Sequence, residues 1–138
     1  MIDKNRVASI ISDLNRYHTE LEGYIIKTEK DLADSKTFFA TSMIAFQILN
    51  STLDLADEVV SGKNLGVPST YKDIFWLLEK GKVIDTNSRK KLWDIIKYRN
   101  VLSHEYGEIT SKDLVYIVQN LSEIKKFVKK AKELANKD

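Results

Sequence analysis

Proline occurs once in this chain and glycine only five times, so the backbone has few places to break regular structure and is free to run in helices. Apolar residues recur at three- and four-residue steps and nowhere alternate as a strand face does, so the expected fold class is all-α. The stripe Ile10, Leu14, Tyr17, Leu21, Tyr24, Ile25 and Leu32, opened by Asp3 as N-cap, predicts one long first helix. A second runs from Ser35, its expected cap, through Phe39, Met43, Phe46, Leu49, Leu53, Ala56 and Val60 to Gly62, and is long enough to pack antiparallel on the first. The stretch from Ser61 to Pro68 reads as a loop, after which Ser69 caps a short helix carrying Tyr71, Ile74, Phe75 and Leu78, ended by Gly81. From Asp85 or Thr86 a fourth helix takes Leu92, Trp93, Ile95, Ile96 and Leu102 inward, with Gly107 as its stop. Thr110-Ser111-Lys112-Asp113 has the form of a capping sequence and opens a last helix with Leu114, Ile117, Val118, Leu121, Ile124, Val128 and Leu134. Five helices, four of them long enough to pack together, predict an antiparallel four-helix bundle with an additional short helix.

A chain of 138 residues can bury a hydrophobic core without staples, and one domain over residues 1–138 is expected. The absence of cysteine excludes disulfides and thiolate metal sites, and with His18 and His104 as the only histidines an all-protein zinc site is not expected either. No cofactor is expected. No stretch approaches a membrane span, and Met1 to Arg6 leads straight into an amphipathic pattern, so a cytoplasmic protein without a membrane partner is the expectation. A net charge of +2 does not by itself announce a nucleic-acid binder. Local excesses exist at Lys80, Lys82, Arg89, Lys90 and Lys91, and again at Lys125, Lys126, Lys129, Lys130 and Lys132, where solvated helix faces are the plain reading. Gly62-Lys63-Asn64-Leu65-Gly66 lacks the ending of a phosphate loop, and the sequon Asn50-Ser51-Thr52 lies inside a helical pattern and carries no weight.

One segment departs from the amphipathic pattern. In Tyr98-Arg99-Asn100-Val101-Leu102-Ser103-His104-Glu105-Tyr106 a guanidinium, an imidazole and a phenol crowd the end of an apolar run. Ionisable groups where a core helix should be apolar are usually there for a reason other than folding. In a straight helix each residue turns about 100°, so Asn100 and His104 share one face, Arg99 and Tyr106 another, and Arg99 and His104 point roughly 140° apart. Either the helix loosens before Gly107 and His104 swings round, or the pair works across the axis of a two-fold dimer that brings two arginines and two histidines into one cleft. A homodimer with the fourth helices near its axis is expected.

Histidine gives and takes protons near neutral pH, and arginine offers a permanent forked donor suited to phosphate. Together they suit attack of an RNA 2′-hydroxyl on the neighbouring phosphate, with His104 as general base or acid, Arg99 holding the phosphate, Asn100 orienting the imidazole or the phosphate, and no metal. The alternative is structural: Arg99 bridges to Asp94 or Glu105 while His104 caps the helix C-terminus. Asp54 and Asp57, three apart on the second helix, could orient Arg99 or His104, or simply face solvent. His18 reads as an ordinary, partly exposed histidine.

Arg99-Asn100-x-x-x-His104-x-Tyr106 resembles the signature of the HEPN superfamily, and the final tyrosine is typical of its HepT toxin branch. Thr70-Tyr71-Lys72-Asp73-Ile74-Phe75-Trp76-Leu77-Leu78, followed by Gly81 and Val83-Ile84, looks like the short third helix of that family and its turn, and Leu53-Asp54-Leu55-Ala56-Asp57 is similar to its second helix. The likeness runs from about Phe38 to Val118, and departs at Lys97-Tyr98, where the branch carries a small residue and a phenylalanine. It implies a single HEPN-like helical domain and a metal-independent endoribonuclease toxin acting on RNA, with tRNA one substrate class, as a homodimer. It further implies a cognate MntA-like nucleotidyltransferase antitoxin that transfers AMP from ATP to Tyr106. A phosphate ester there would crowd the site meant for substrate phosphate. The alternatives are Tyr106 as an ordinary core tyrosine, the whole chain as a non-catalytic nucleotide- or substrate-binding subunit of a nucleotidyltransferase, and a purely structural bundle that pairs with another protein through an apolar groove.

Overall fold

The computed structural model describes residues 1–104 and 108–138, and of His104 the backbone alone. Among the described residues the chain forms α1 (Lys4–Glu22), α2 (Ser35–Gly62), α3 (Tyr71–Lys80), α4 (Thr86–Ile96), α5 (Tyr98–His104), α6 (Ser111–Gln119) and α7 (Leu121–Lys137), with one turn of 3₁₀ helix, Glu29–Leu32, between α1 and α2. The bundle is assembled around α2, which packs against all six other helices. Its buried face, from Ala45 through Ile48, Leu49, Thr52, Leu53, Leu55, Ala56 and Val59 to Val60, supplies the centre of the core. Leu14 of α1, Leu78 of α3, Leu92, Ile95 and Ile96 of α4, Leu102 of α5, Leu114 and Ile117 of α6 and Ile124 of α7 close onto it. Each such side chain taken from water contributes about 1.5–3 kcal/mol.

Helix directions follow from the polar contacts at the ends of the bundle. Met1 N donates to Gly62 O at 2.6 Å and Asp3 N to Glu58 Oε1 at 3.3 Å, so α1 starts where α2 ends and the two are antiparallel. Lys125 Nζ meets Glu22 Oε1 at 3.2 Å, while Ile2 N donates to Asp138 Oδ2 at 2.6 Å, which sets α7 antiparallel to α1. Gly62 is required at this crossing, because a Cβ there would stand 2.7 Å from the Ile2 Cα and 2.9 Å from its backbone nitrogen.

The expected all-α bundle is present, with five local differences. The first helix stops at Glu22 with Gly23 as its C-cap, Ile25 adopts φ 51°, and Leu32 enters the core from the 3₁₀ turn. Ile25 is therefore exposed and Ile26 is buried in its place. The caps of α2 and α3 are Asp34, which accepts from Thr37 N at 3.1 Å, and Thr70, which accepts from Asp73 N at 3.2 Å, each one residue from the serine expected. Phe39 and Met43 stand out from α2 at 59% and 49% exposure, because the narrower face centred on Ala45 and Ile48 does the packing. The fourth helix divides at Lys97, and the last divides at Asn120, whose Nδ2 donates to Tyr116 O at 2.7 Å and so satisfies a carbonyl of the helix end. Asp85 and the Thr110–Asp113 capping box stand as expected.

His18 is buried, not partly exposed. It sits beside a hollow of about 370 Å³ where α1 meets the start of α7, near Glu22 and Lys125, and its Nε2 has no hydrogen-bond partner among the described residues. Desolvation and the Lys125 ammonium lower its pKa below 6.5, against a smaller opposing pull from Glu22. The unfolded chain therefore takes up this proton more readily than the folded one. The stabilisation is complete above about pH 6.5 and is lost as pH falls below that value toward the folded pKa. Thermal unfolding between about pH 7 and about pH 5 should show a falling midpoint that His18→Leu flattens; parallel curves for the two proteins would remove His18 as the cause.

Candidate functional site

Lys97, the C-cap of α4, still donates to Trp93 O at 3.0 Å, and α5 begins at Tyr98. Packing holds α5 in the bundle: Leu102 is fully buried and the Tyr98 ring lies 6.2 Å from that of Tyr116 on α6. The break lies before Arg99, so the backbone from Arg99 to His104 belongs to one helix. Glu105, Tyr106 and Gly107 lie outside the described residues, as does the side chain of His104. The expected role of Tyr106 and the stop at Gly107 fall there.

Three helices hold the Arg99 guanidinium. Its Nε donates to Asn50 Oδ1 of α2 at 3.2 Å, and a terminal nitrogen donates to Asn100 Oδ1 at 3.4 Å. The guanidinium carbon lies 5.1 Å from the ring centroid of Tyr71, the first residue of α3, and 5.6 Å from that of Phe46 on α2. Cation–π contacts of this kind stabilise by about 0.5–1 kcal/mol at partly exposed sites. The alternative pairing of Arg99 with Asp94 is not formed, since Asp94 instead meets Lys97 Nζ at 3.8 Å. Asn50, Phe46, Asp54 and Asp57 fall on one stripe of α2, which continues upward through the exposed Phe39 and Met43.

Beside Arg99 opens a cleft of about 650 Å³, walled by Asp54 and Asp57 of α2, Pro68 and Ser69 of the loop, Tyr71 and Lys72 at the start of α3, Trp93 of α4 and Asn100 of α5. Desolvation in this wall raises the Asp54 carboxyl above its ordinary pKa, opposed by Arg6 and Arg99 and reinforced by Asp57. Of the two aspartates read from the sequence, Asp54 thus reaches Arg99 through charge, whereas the direct hydrogen bond comes from Asn50. Among the described residues no group of three or more His, Cys, Asp or Glu comes together as a metal ion requires.

Asn50 was visible in the sequence only as part of a sequon. The signal that could have marked it is its place as the first polar side chain on the stripe that runs Phe39, Met43, Phe46. Tyr71 was expected in the core and instead stands 42% exposed over the guanidinium. The α3 wall is clamped to α4 by Arg89, whose guanidinium is buried over the Trp76 ring at 3.7 Å and ion-paired with Glu79, while Phe75 meets Trp93 at 6.1 Å.

A family model described as Ribonuclease HepT-like matches residues 14–131. A protein of Shewanella oneidensis named mRNA nuclease HepT is 27% identical over 77 residues, which span 55% of this chain and 58% of that protein. Among solved structures, a tri-AMPylated HEPN toxin of Shewanella oneidensis in complex with an MNT antitoxin superposes with a TM-score of 0.83 at 20% identity, covering 96% of this chain and 99% of that one. YutE of Bacillus subtilis, described as a cytosolic protein of unknown function, gives a TM-score of 0.84 at 19% identity, over 99% of this chain and 92% of that one. At these identities the two structures establish the fold alone. No helix among the described residues is long and apolar enough to cross a membrane.

Glu79→Ala leaves the Arg89 guanidinium without its carboxylate and should lower the unfolding free energy by about 2–3 kcal/mol. Denaturant titration measures this; a loss below about 0.5 kcal/mol would mean that Trp76 suffices to hold the clamp.

Proposed function

The chain belongs to the Ribonuclease HepT-like family, and from that premise we propose that it is a metal-independent endoribonuclease toxin working as a homodimer. The observation that carries the reading is the Arg99 guanidinium, fixed by Asn50, Asn100, Tyr71 and Phe46 at the edge of an open cleft and engaged by no ion pair among the described residues. That cleft is lined by two carboxylates, Asp54 and Asp57, against a single ammonium, Lys72 at its rim, a balance that repels phosphate. A phosphodiester therefore meets protein best at the arginine end, where the cationic fork matches two phosphate oxygens.

In the reaction, His104 takes the proton of the 2′-hydroxyl as its oxygen forms a bond to phosphorus, and the bond from phosphorus to the 5′-oxygen breaks. The His104 imidazole of the other copy protonates the departing 5′-oxygen, leaving a 2′,3′-cyclic phosphate. Arg99 neutralises the charge that gathers on the non-bridging oxygens, and Asn100 holds the guanidinium in that pose. Because regular helix geometry turns positions 99 and 104 roughly 140° apart, the reading uses a two-fold axis, which pairs the arginine of one copy with the histidine of the other. The exposed Phe39 and Met43, continuous with Phe46 beneath Arg99, support such an axis as an apolar face beside the site.

The relative crystallised with an MNT antitoxin and AMPylated supports the matching control for this chain. An MntA-like nucleotidyltransferase transfers AMP to the Tyr106 hydroxyl, and the added phosphate competes with RNA for Arg99.

Antitoxin-free protein should cut end-labelled tRNA in excess EDTA, and His104→Ala should lower the rate by roughly 100-fold or more. Equal cutting by both proteins, or an absolute need for added divalent ions, would sink the mechanism. Tyr106→Phe is expected to keep cleavage while escaping silencing by antitoxin and ATP; a variant silenced with uptake of AMP would locate the modification elsewhere.

A further inference from the structure

The second lysine cluster, read from the sequence as a solvated face, is arranged in a way that folding does not explain. Helix α7 carries six lysines against two glutamates, and the remainder of the chain then holds sixteen basic and eighteen acidic side chains. Lys125 and Lys129, and likewise Lys126 and Lys130, stand four apart on one helix. Such like-charged pairs each destabilise a helix by about 0.2–0.5 kcal/mol. Lys125 finds Glu22 and Lys91 finds Glu123 at 3.5 Å, but Lys90, Lys126, Lys129 and Lys130 form no ion pair among the described residues.

These cations line a path. Lys126, Lys129 and Lys130 rim a hollow of about 360 Å³ between α7 and the Ser88–Leu92 side of α4. At about 100° per residue, the exposed arc of α4 passes from that side through Lys91, then Lys90 and Lys97, and arrives at Trp93, which walls the Arg99 cleft. Ser88 to Asn100 is a climb of about 18 Å along this course. The acidic side chains on it are Asp85, Glu123 and Glu133 at the hollow and Asp94 at the arc, of which Glu123 and Asp94 are already paired with Lys91 and Lys97.

We propose that the lysine-rimmed hollow between α4 and α7, together with the exposed arc of α4, is a track that binds the phosphate backbone of single-stranded RNA and delivers the strand to the Arg99 cleft. The proposal rests on the ribonuclease reading for what happens at the end of the track, and on charge and placement for the track itself. Flexible ammonium groups spaced along a convex surface suit a polyanion whose charges recur regularly, and they impose no sequence preference. Their direct course to the cleft favours the substrate strand over an acidic protein as the occupant.

The test uses the full chain with Lys126→Glu, Lys129→Glu and Lys130→Glu combined, beside the milder triple replacement by Gln. Binding of a labelled single-stranded RNA of about 20 nucleotides is measured across a salt series in a His104→Ala background. Cleavage of a dinucleotide, too short to span the track, is measured with His104 intact. The Glu variant should bind RNA roughly 10-fold more weakly or worse at low salt, its log–log salt slope smaller in magnitude by about 2, and the Gln variant should fall between. Dinucleotide cleavage should stay within about twofold of the parent, which also reports an intact fold. Unchanged affinity and slope in the Glu variant would overturn the track. Loss of antitoxin neutralisation with unchanged RNA binding would overturn it in favour of an acidic protein. Lysine-dependent RNA binding by a protein that cleaves nothing would remove the nuclease reading and leave the track standing.

Discussion

The molecule depends on a single helix that must satisfy two masters. One face of α2 is buried by every other helix and anchors the core, while the neighbouring stripe carries Phe46, Asn50, Asp54 and Asp57 toward the cleft. Because both faces belong to one rigid 28-residue rod, the site cannot shift without the core shifting too. Of the residues that line the cleft, only Pro68, Ser69 and Thr70 stand outside the helices. The clamp formed by Trp76, Glu79 and Arg89 extends this rigidity to the opposite wall, since it ties α3 to α4 and so holds Tyr71 and Trp93 at a set separation.

Much of this was legible in the sequence where a local rule governs it. Asp85 and the Thr110–Asp113 box are capping signals that act over three residues, and they stand where the sequence puts them. The division at Asn120 also had a local signal, since asparagine competes for backbone groups and so favours helix ends. The division at Lys97 had none: lysine is a good helix former, and α5 is held by the burial of Leu102 and by Tyr98 meeting Tyr116 of another helix. The partner of Arg99 was hidden for the same reason, because Asn50 lies 49 residues away. Periodicity fixes which residues share a face, but it does not say which face meets which.

Charge divides the surface much as packing divides the interior. The cleft beside Arg99 is walled by two carboxylates, Asp54 and Asp57, and one ammonium, Lys72, whereas α7 gathers lysines that oppose its own helicity. A net charge of +2 conceals this separation, since α7 alone carries +4 and the rest of the chain −2. For a chain so balanced, the distribution of charge carries the information and the total carries almost none.

The four groups around Arg99 have an entropic consequence. A free arginine side chain surrenders about 2 kcal/mol of rotamer freedom when it is immobilised, and a binding site that freezes one on contact loses that much affinity. Here Asn50, Asn100, Tyr71 and Phe46 hold the rotamer through contacts made within the fold. Folding itself orders this side chain, so under the proposed reading an anion that binds there loses less affinity to freezing it.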